Sequence, residues 1–205
     1  MGIYSKYILP KVIDRTCKLR PNMKQREKIV PAAFGNVLEI GIGSGLNMPY
    51  FDKDKVNRIT GIDPSERIWN ENNIDFKNLP FEFEFVKALA DNIPADSNSF
   101  DSVLVTYSLC TIADLFPAFE EIRRVMKSNG KLVFCEHGKA PDKTVERWQN
   151  LLNPLWKRLG GGCNLNRDIP ALIQNNGFKI DTMQTMYIPG WKPASFNYWG
   201  TAAVR

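Results

Sequence analysis

At 205 residues the chain can bury one sizeable core and is short for a two-domain dehydrogenase, while 43% hydrophobic and 24% charged residues are ordinary for a globular protein. No apolar run approaches the ~20 residues needed to span a bilayer, and no signal-peptide pattern opens the chain. The net charge of +5 is uneven: residues 1–30 hold eight Lys or Arg against Asp14 and Glu27, a basic patch that fits an anionic membrane, an acidic partner or simply a solvated face.

The four cysteines at 17, 110, 135 and 163 form no C-x-x-C pair and no spaced ligand set, and there is one histidine. No metal site is therefore expected, and a reducing cytoplasm suits the thiols. No zinc finger, helix-turn-helix or aromatic RNA-binding signature points to a specific nucleic acid.

Residues 3–20 carry Tyr4, Ile8, Leu9, Val12, Ile13 and Cys17 at helical spacing, with basic residues mostly elsewhere on the wheel. This predicts an amphipathic helix, weakened or bent at Pro10. It is expected to form a cap over residues 1–35, with peripheral contact to anionic membrane as one further role.

The stretch V-L-E-I-G-I-G-S-G-L-N at 37–47 is an apolar strand that breaks into Gly41, Gly43 and Gly45. Glycines at alternate positions allow a tight turn and a close approach of backbone to a ligand. The spacing is G-x-G-x-G, not the dinucleotide fingerprint, whose last glycine would replace Leu46. A second strand over 57–62 ends at Asp63-Pro64-Ser65, with Asp63 22 residues beyond Gly41. That separation lets a carboxylate reach the ribose hydroxyls of a nucleotide held at the first strand; an N-cap or surface turn is the simpler alternative.

A short polar helix is expected over 66–78, then a strand at 81–86 from F-E-F-E-F-V, whose period is two. After a loop over 88–94 a branched apolar strand runs 101–106. It delivers Thr106, Tyr107 and Ser108 to the same carboxyl edge as the glycine turn. A helix follows over 116–126, stopping near Asn129-Gly130, and a fifth strand over 132–135 ends at Glu136-His137-Gly138. Residues 142–159 carry an apolar stripe of helical period, Val145, Trp148, Leu151, Leu152, Leu155, Trp156 and Leu159. A kink or break is expected at Pro154, and the stripe is either core or the roof of an apolar acceptor pocket. Gly160 to Cys163 make a junction before Asn164, Asn166 and Arg167. Asp168 caps a helix over 169–175, with Pro170 in its first turn. The last two strands, 178–187 and 196–204, have no helix between them and must pair as a hairpin. The alternation of strand and helix means a mostly parallel sheet with helices on both faces and one antiparallel member, and ligands in such sheets bind beyond the strand carboxyl ends.

Taken together, the glycine turn, G-I-D-P-S, A-L-A-D-N-I-P and S-F-D-S-V resemble the motifs of class I S-adenosylmethionine-dependent methyltransferases over most of residues 36–136. F-C-E-H-G and G-C-N-L-N-R-D, with the Trp-containing helix, resemble the branch of methyltransferase-like thiol methyltransferases and related bacterial proteins. The resemblance implies a Rossmann-like three-layer sandwich with seven strands, one antiparallel, over residues 36–205, with 139–167 as a helical acceptor-side insertion. It also implies S-adenosyl-L-methionine as cofactor and S-adenosyl-L-homocysteine as product. Gly41, Gly43 and Gly45 would pack on the methionine portion, with Glu39 near the amino group. Asp63 would hold the ribose, Ile62 or Pro64 would lie against adenine, and Ala90 and Asp91 would read its edge. Thr106 would lie at the methionine end.

The acceptor is expected to be small, apolar or lipid-like, with thiol, lipid amine and phenolic oxygen all open. Tyr7, Tyr107, Trp148, Asn164 and Arg167 are the candidate acceptor residues; Arg167 could instead pair with Asp168. His137, the sole imidazole, is either a base oriented by Glu136 or Asp168 or a wall residue. Cys163 could pair with it, although methyl transfer needs no covalent intermediate. A nucleotide-dependent oxidoreductase and a non-catalytic binding protein are the alternatives.

Overall fold

The computed structural model describes residues 8–205; Tyr7, and with it residues 3–7 of the expected first helix, lies outside the described residues. A seven-stranded sheet forms the middle layer: β1 (Gly35–Ile40), β2 (Val56–Ile62), β3 (Glu82–Val86), β4 (Phe100–Thr106), β5 (Met126–His137), β6 (Phe178–Tyr187) and β7 (Phe196–Val204). Their order across the sheet is β3-β2-β1-β4-β5-β7-β6, and β7 runs antiparallel to both neighbours while the rest are mutually parallel. The order reverses between β1 and β4, which opens a crevice beyond their carboxyl ends.

Strands buried on both faces read as continuous apolar runs. Leu38, Ile40, Val103, Val105, Leu132 and Phe134 meet α4 (Leu115–Val125), α5 (Lys143–Leu159) and α6 (Ile169–Asn175) through Phe119, Ile122, Val145, Ile169 and Ile173. Val37, Ile59, Leu104 and Val133 face the other way, toward Ile29 of α2 (Arg20–Ile29). On edge strand β3, Phe83 and Phe85 stack under Trp69 of the one-turn α3 (Glu66–Trp69), with ring centroids 5.2 and 4.7 Å away.

Several elements depart from the sequence expectation. Within the described residues the expected first helix is α1 (Leu9–Cys17), and a helix the sequence reading did not include, α2, follows it after Leu19, extended at ψ 138°, with a proline in the first turn of each. Pro10 lies in the first turn of α1, where its missing N–H costs no helical bond. The helix expected over 66–78 shrinks to α3 and a 3-10 turn at Phe76–Asn78. Gly130 lies inside β5 and not beyond a helix: a Cβ there would come within 2.6 Å of the Met126 side chain and 3.1 Å of the Asp101 carbonyl oxygen, an approach only glycine allows. Finally, α5 is continuous through Pro154.

Candidate active site

Three glycines shape the turn after β1, all with positive φ: Gly41 at 69°, Gly43 at 56° and Gly45 at 75°. A Cβ on Gly41 would strike Ser108 Oγ and one on Gly45 would strike Ile74, whereas one on Gly43 would have only Ile68 and the Gly41 carbonyl, at 3.7 and 4.0 Å. Gly43 thus presents bare backbone to the crevice. Its N–H donates to Asp63 Oδ2 at 3.1 Å, and Ser65 N–H donates to Asp63 Oδ1 at 2.8 Å. One carboxylate therefore joins the two loops, with lone pairs remaining on both oxygens. Burial raises the Asp63 pKa, opposed by the bonds from Ser65 and Gly43.

Beneath the turn lies a buried polar network. Asn47 Nδ2 donates to Glu39 Oε1 at 2.8 Å and to Thr106 Oγ1 at 2.9 Å. Arg26 Nη1 donates to Asn47 Oδ1 at 2.8 Å and to Thr106 Oγ1 at 2.5 Å. The guanidinium also lies over the Tyr107 ring, 5.1 Å from its centroid. Burial pushes the Glu39 carboxyl up to about 7, against the opposing pull of Asn47 and Arg26. Its Oε2 is buried without a partner. An orphaned carboxylate oxygen beside a bare glycine turn, with Asp63 at the next strand, fits the ammonium, backbone-contacting and ribose portions of S-adenosylmethionine. Arg26 and Asn47 were missed by sequence reasoning; α2 buries Gln25 and Arg26 alongside Ile29, so no apolar period marks its inner face.

Tyr107 holds φ 55°, a strained setting for a side chain of that size, and donates its hydroxyl to Asn197 Oδ1 at 2.8 Å. Ala90 and Asp91 occupy the turn between Leu89 and Asn92, with Asp91 exposed, and Pro64 is exposed beside Asp63. Ile62 is part of the core.

On the acceptor side, Glu136 is fully buried and accepts from Ser108 N–H and Leu109 N–H at 2.6 and 2.9 Å. It braces the loop after β4 and makes no hydrogen bond to His137, while Asp168 caps α6 by accepting from Ala171 N–H at 3.2 Å. The expected orienting role for either carboxylate is thereby corrected. His137 instead has Nε2 3.1 Å from Cys163 Sγ, with Nδ1 buried and unpartnered. Burial pulls the imidazole down, and the Cys163 sulfur and Glu136 pull it up further. Cys163 is itself held well above its ordinary value by the neighbouring Cys110 thiol and by burial.

Arg167 does not pair with Asp168. Its guanidinium donates to the carbonyl oxygens of Leu109 and, at 2.7 Å, Ile112, and Asp168 lies 3.9 Å from Lys139 Nζ. Asn164 staples the Cys163 segment to Cys110, whose carbonyl accepts from its backbone N–H at 2.9 Å and its Nδ2 at 3.0 Å. Trp148 is 54% exposed and lines a surface groove of about 440 Å³ with Lys143, Lys192 and Pro193. The stripe on α5 reaches the core only at Val145; Leu151, Leu155 and Leu159 are exposed like Trp148. Gln149 is its buried hub, accepting from Ala140 N–H at 2.9 Å while its Nε2 faces the carbonyls of Gly138, Leu165 and Pro193.

α1 lies across this edge. Asp14 accepts from Ser44 Oγ at 2.5 Å, and Leu9 and Ile13 back onto Gly161.

The methyltransferase-domain family matches residues 38–134. Thiol S-methyltransferase TMT1B of Rattus norvegicus is 30% identical over 79% of this chain, which spans 65% of that protein's length. Thiol S-methyltransferase TMT1A of Homo sapiens is 29% identical over 84% of this chain and 72% of that one. Among solved structures, a SAM-dependent methyltransferase from Aquifex aeolicus superposes with a TM-score of 0.63 at 16% identity, covering 96% of this chain and 98% of the other. That likeness is one of fold.

Proposed function

Because the chain belongs to the class I S-adenosylmethionine-dependent methyltransferases of the methyltransferase-domain family, we propose that it methylates the sulfur of a small, apolar thiol. When bound, the cofactor supplies a methyl group already activated on a sulfonium sulfur. The observation that carries the cofactor reading is the Gly43–Asp63 contact above the unpartnered Glu39 oxygen. Asp63 accepts the ribose hydroxyls, Glu39 faces the amino group, and the Ala90-Asp91 turn borders the adenine. The thiol reading is supported by the activity named for the two mammalian relatives.

In-line displacement asks the chain chiefly to align its two substrates, and orientation of this kind is worth up to ~7–11 kcal/mol in model systems. Tyr107, fixed by Asn197 and Arg26, and the braced 108–112 loop provide a rigid wall for that alignment. A thiol needs only to lose a proton near its ordinary pKa of ~8.5, and His137 stands beside Cys163 at this end of the crevice. The described part of the N-terminal segment, residues 8–35, serves as a cap, with 139–167 forming the acceptor side. The basic N-terminal region and the exposed apolar residues of α5 suit a peripheral contact with anionic membrane. Among the described residues no helix is long and apolar enough to cross a membrane.

Calorimetry with S-adenosylmethionine, followed by mass spectrometry of benzyl mercaptan products, tests the reading. Saturable heat and an S-methyl thioether are expected. Absence of saturable binding overturns it, and methylation of amines or phenols in preference to thiols overturns the acceptor assignment.

A further inference from the structure

Cys110, His137 and Cys163 come from three separate parts of the chain, yet their ligating atoms all lie within 4.8 Å of one another. We propose that these three side chains hold one thiophilic divalent cation, zinc by donor chemistry, whose fourth position takes the acceptor sulfur. Only that fourth position rests on the thiol reading above.

Zinc takes sulfur at ~2.3 Å and imidazole nitrogen at ~2.0 Å in tetrahedral geometry, so its ligand atoms stand roughly 3.4–3.8 Å apart. The His137–Cys163 pair, at 3.1 Å, stands slightly closer than that and no pair in the cluster is more than 4.8 Å apart, so small side-chain rotations bring the set to that spacing. Two sulfurs and an imidazole form a soft donor set that favours zinc over calcium or magnesium. Three protein ligands with one position open is the arrangement of catalytic, not structural, zinc.

The scaffold around the cluster is built to hold it. His137 ends β5. Asn164 bonds the carbonyl of Cys110 through both its backbone and its side chain. Arg167 fixes the intervening loop through Leu109 and Ile112, which flank Cys110. Its cation offsets the surplus negative charge when a third thiolate joins two cysteinates and a dication. The position is also apt: Ser108, two residues before Cys110, abuts Gly41 of the cofactor turn.

The step balances without an oxidant or reductant. Coordination of the acceptor releases its thiol proton to solvent, and a sulfur lone pair then forms the new carbon–sulfur bond. The methyl–sulfonium bond breaks with its electron pair passing to the cofactor sulfur. The product is a neutral thioether, a weaker ligand than a thiolate, so it leaves the cation.

The purified protein is stripped with dipicolinate, titrated with Co²⁺ and separately with Zn²⁺, and assayed for bound metal. One equivalent is expected, with the visible bands and sulfur charge-transfer absorption of tetrahedral cobalt. Cys110→Ser, Cys163→Ser and His137→Asn should each lose that equivalent while still binding S-adenosylhomocysteine, which serves as the control for folding. Cys17→Ser should retain it. Benzyl mercaptan, but not benzyl alcohol, should shift the cobalt spectrum. The proposal is overturned by no metal uptake in protein that binds S-adenosylhomocysteine, by uptake that survives all three substitutions, or by a Cys110–Cys163 disulfide in place of the metal. A spectrum indifferent to the thiol, or loss of metal in Cys17→Ser, removes the fourth-ligand role. Thiol methylation that persists undiminished in metal-free protein defeats this proposal and leaves the methyltransferase reading standing. Metal uptake without cofactor binding does the reverse.

Discussion

Arg26 Nη1 donates to Asn47 Oδ1 at 2.8 Å, although 21 residues separate them. Through this bond a helix outside the sheet completes the polar floor of the crevice, since Asn47 in turn holds Glu39 and Thr106. Arg26→Met keeps the bulk of the side chain but removes both donated bonds and the cation nearest Glu39. Leaving charged and polar partners buried and unmet costs about 2–3 kcal/mol. Urea denaturation should show that loss of stability, and calorimetry a drop of at least about tenfold in S-adenosylmethionine affinity. Unchanged affinity would reduce Arg26 to a packing residue.

Glu39 makes stability depend on pH. Its carboxyl titrates at about 7 in the folded chain because burial disfavours the anion, against ~4.3 when unfolded. The native state therefore holds this proton more tightly. Its contribution is fully present below the unfolded value, declines as pH rises from about 4.3 to 7, and is gone above the folded value. Glu39→Gln should flatten that slope. The cofactor's ammonium favours the anion, so affinity should rise with pH toward 7, and binding below 7 should release a proton. Calorimetry in buffers of different ionisation enthalpy reads that proton directly.

Asp63 spends one bond on each of two loops and keeps lone pairs for a ligand. Asp63→Ala removes charge-assisted hydrogen bonds worth about 1.5–3 kcal/mol. Cofactor affinity should fall by about 10- to 100-fold, and an adenosine analogue lacking both ribose hydroxyls should lose its discrimination between wild type and variant.

The glycines of the turn should separate stability from binding. Gly41→Ala and Gly45→Ala drive a Cβ into Ser108 or Ile74, so both should lower the melting temperature. Gly43→Ala meets no such obstacle in the protein and pays mainly for its positive φ, about 1–2 kcal/mol. Its loss in cofactor affinity should exceed its loss in stability. Equal losses would place the methionine portion of the cofactor elsewhere.

What could be read in the chain beforehand was what local pattern encodes. The glycine turn and Asp63 announce themselves by spacing, the period-two phenylalanines give β3, and two strands without an intervening helix give the β6–β7 hairpin that makes β7 antiparallel. What could not be read depends on tertiary contact. The inner face of α2 is Gln25, Arg26 and Ile29, a pattern without apolar periodicity. Cys110, His137 and Cys163 have no recognisable spacing because the fold, not the sequence interval, brings them together. The Asn129-Gly130 pair looked like a helix stop, yet the glycine serves a close approach to Asp101 inside a strand.

The apolar stripe of α5 is the remaining feature whose placement changes its meaning. Trp148, Leu151, Leu155 and Leu159 face solvent while Val145 and Gln149 hold the helix to the body, so the stripe contributes little to the core. Near it, α1 exposes Val12 and backs onto Gly161 beyond the end of α5. Apolar side chains on helices with flanking Lys157, Arg158 and Arg15 have the composition of a surface that enters the headgroup region of an anionic bilayer. Leu151→Lys/Leu155→Lys should therefore leave the melting temperature within about 1–2 °C of wild type, as exposed substitutions do, while abolishing sedimentation with phosphatidylserine vesicles. Added salt should weaken the wild-type interaction without eliminating it, because screening acts on the basic residues and not on the buried apolar area. Wild-type protein that stays in the supernatant with such vesicles at low salt would show that this face meets something other than lipid.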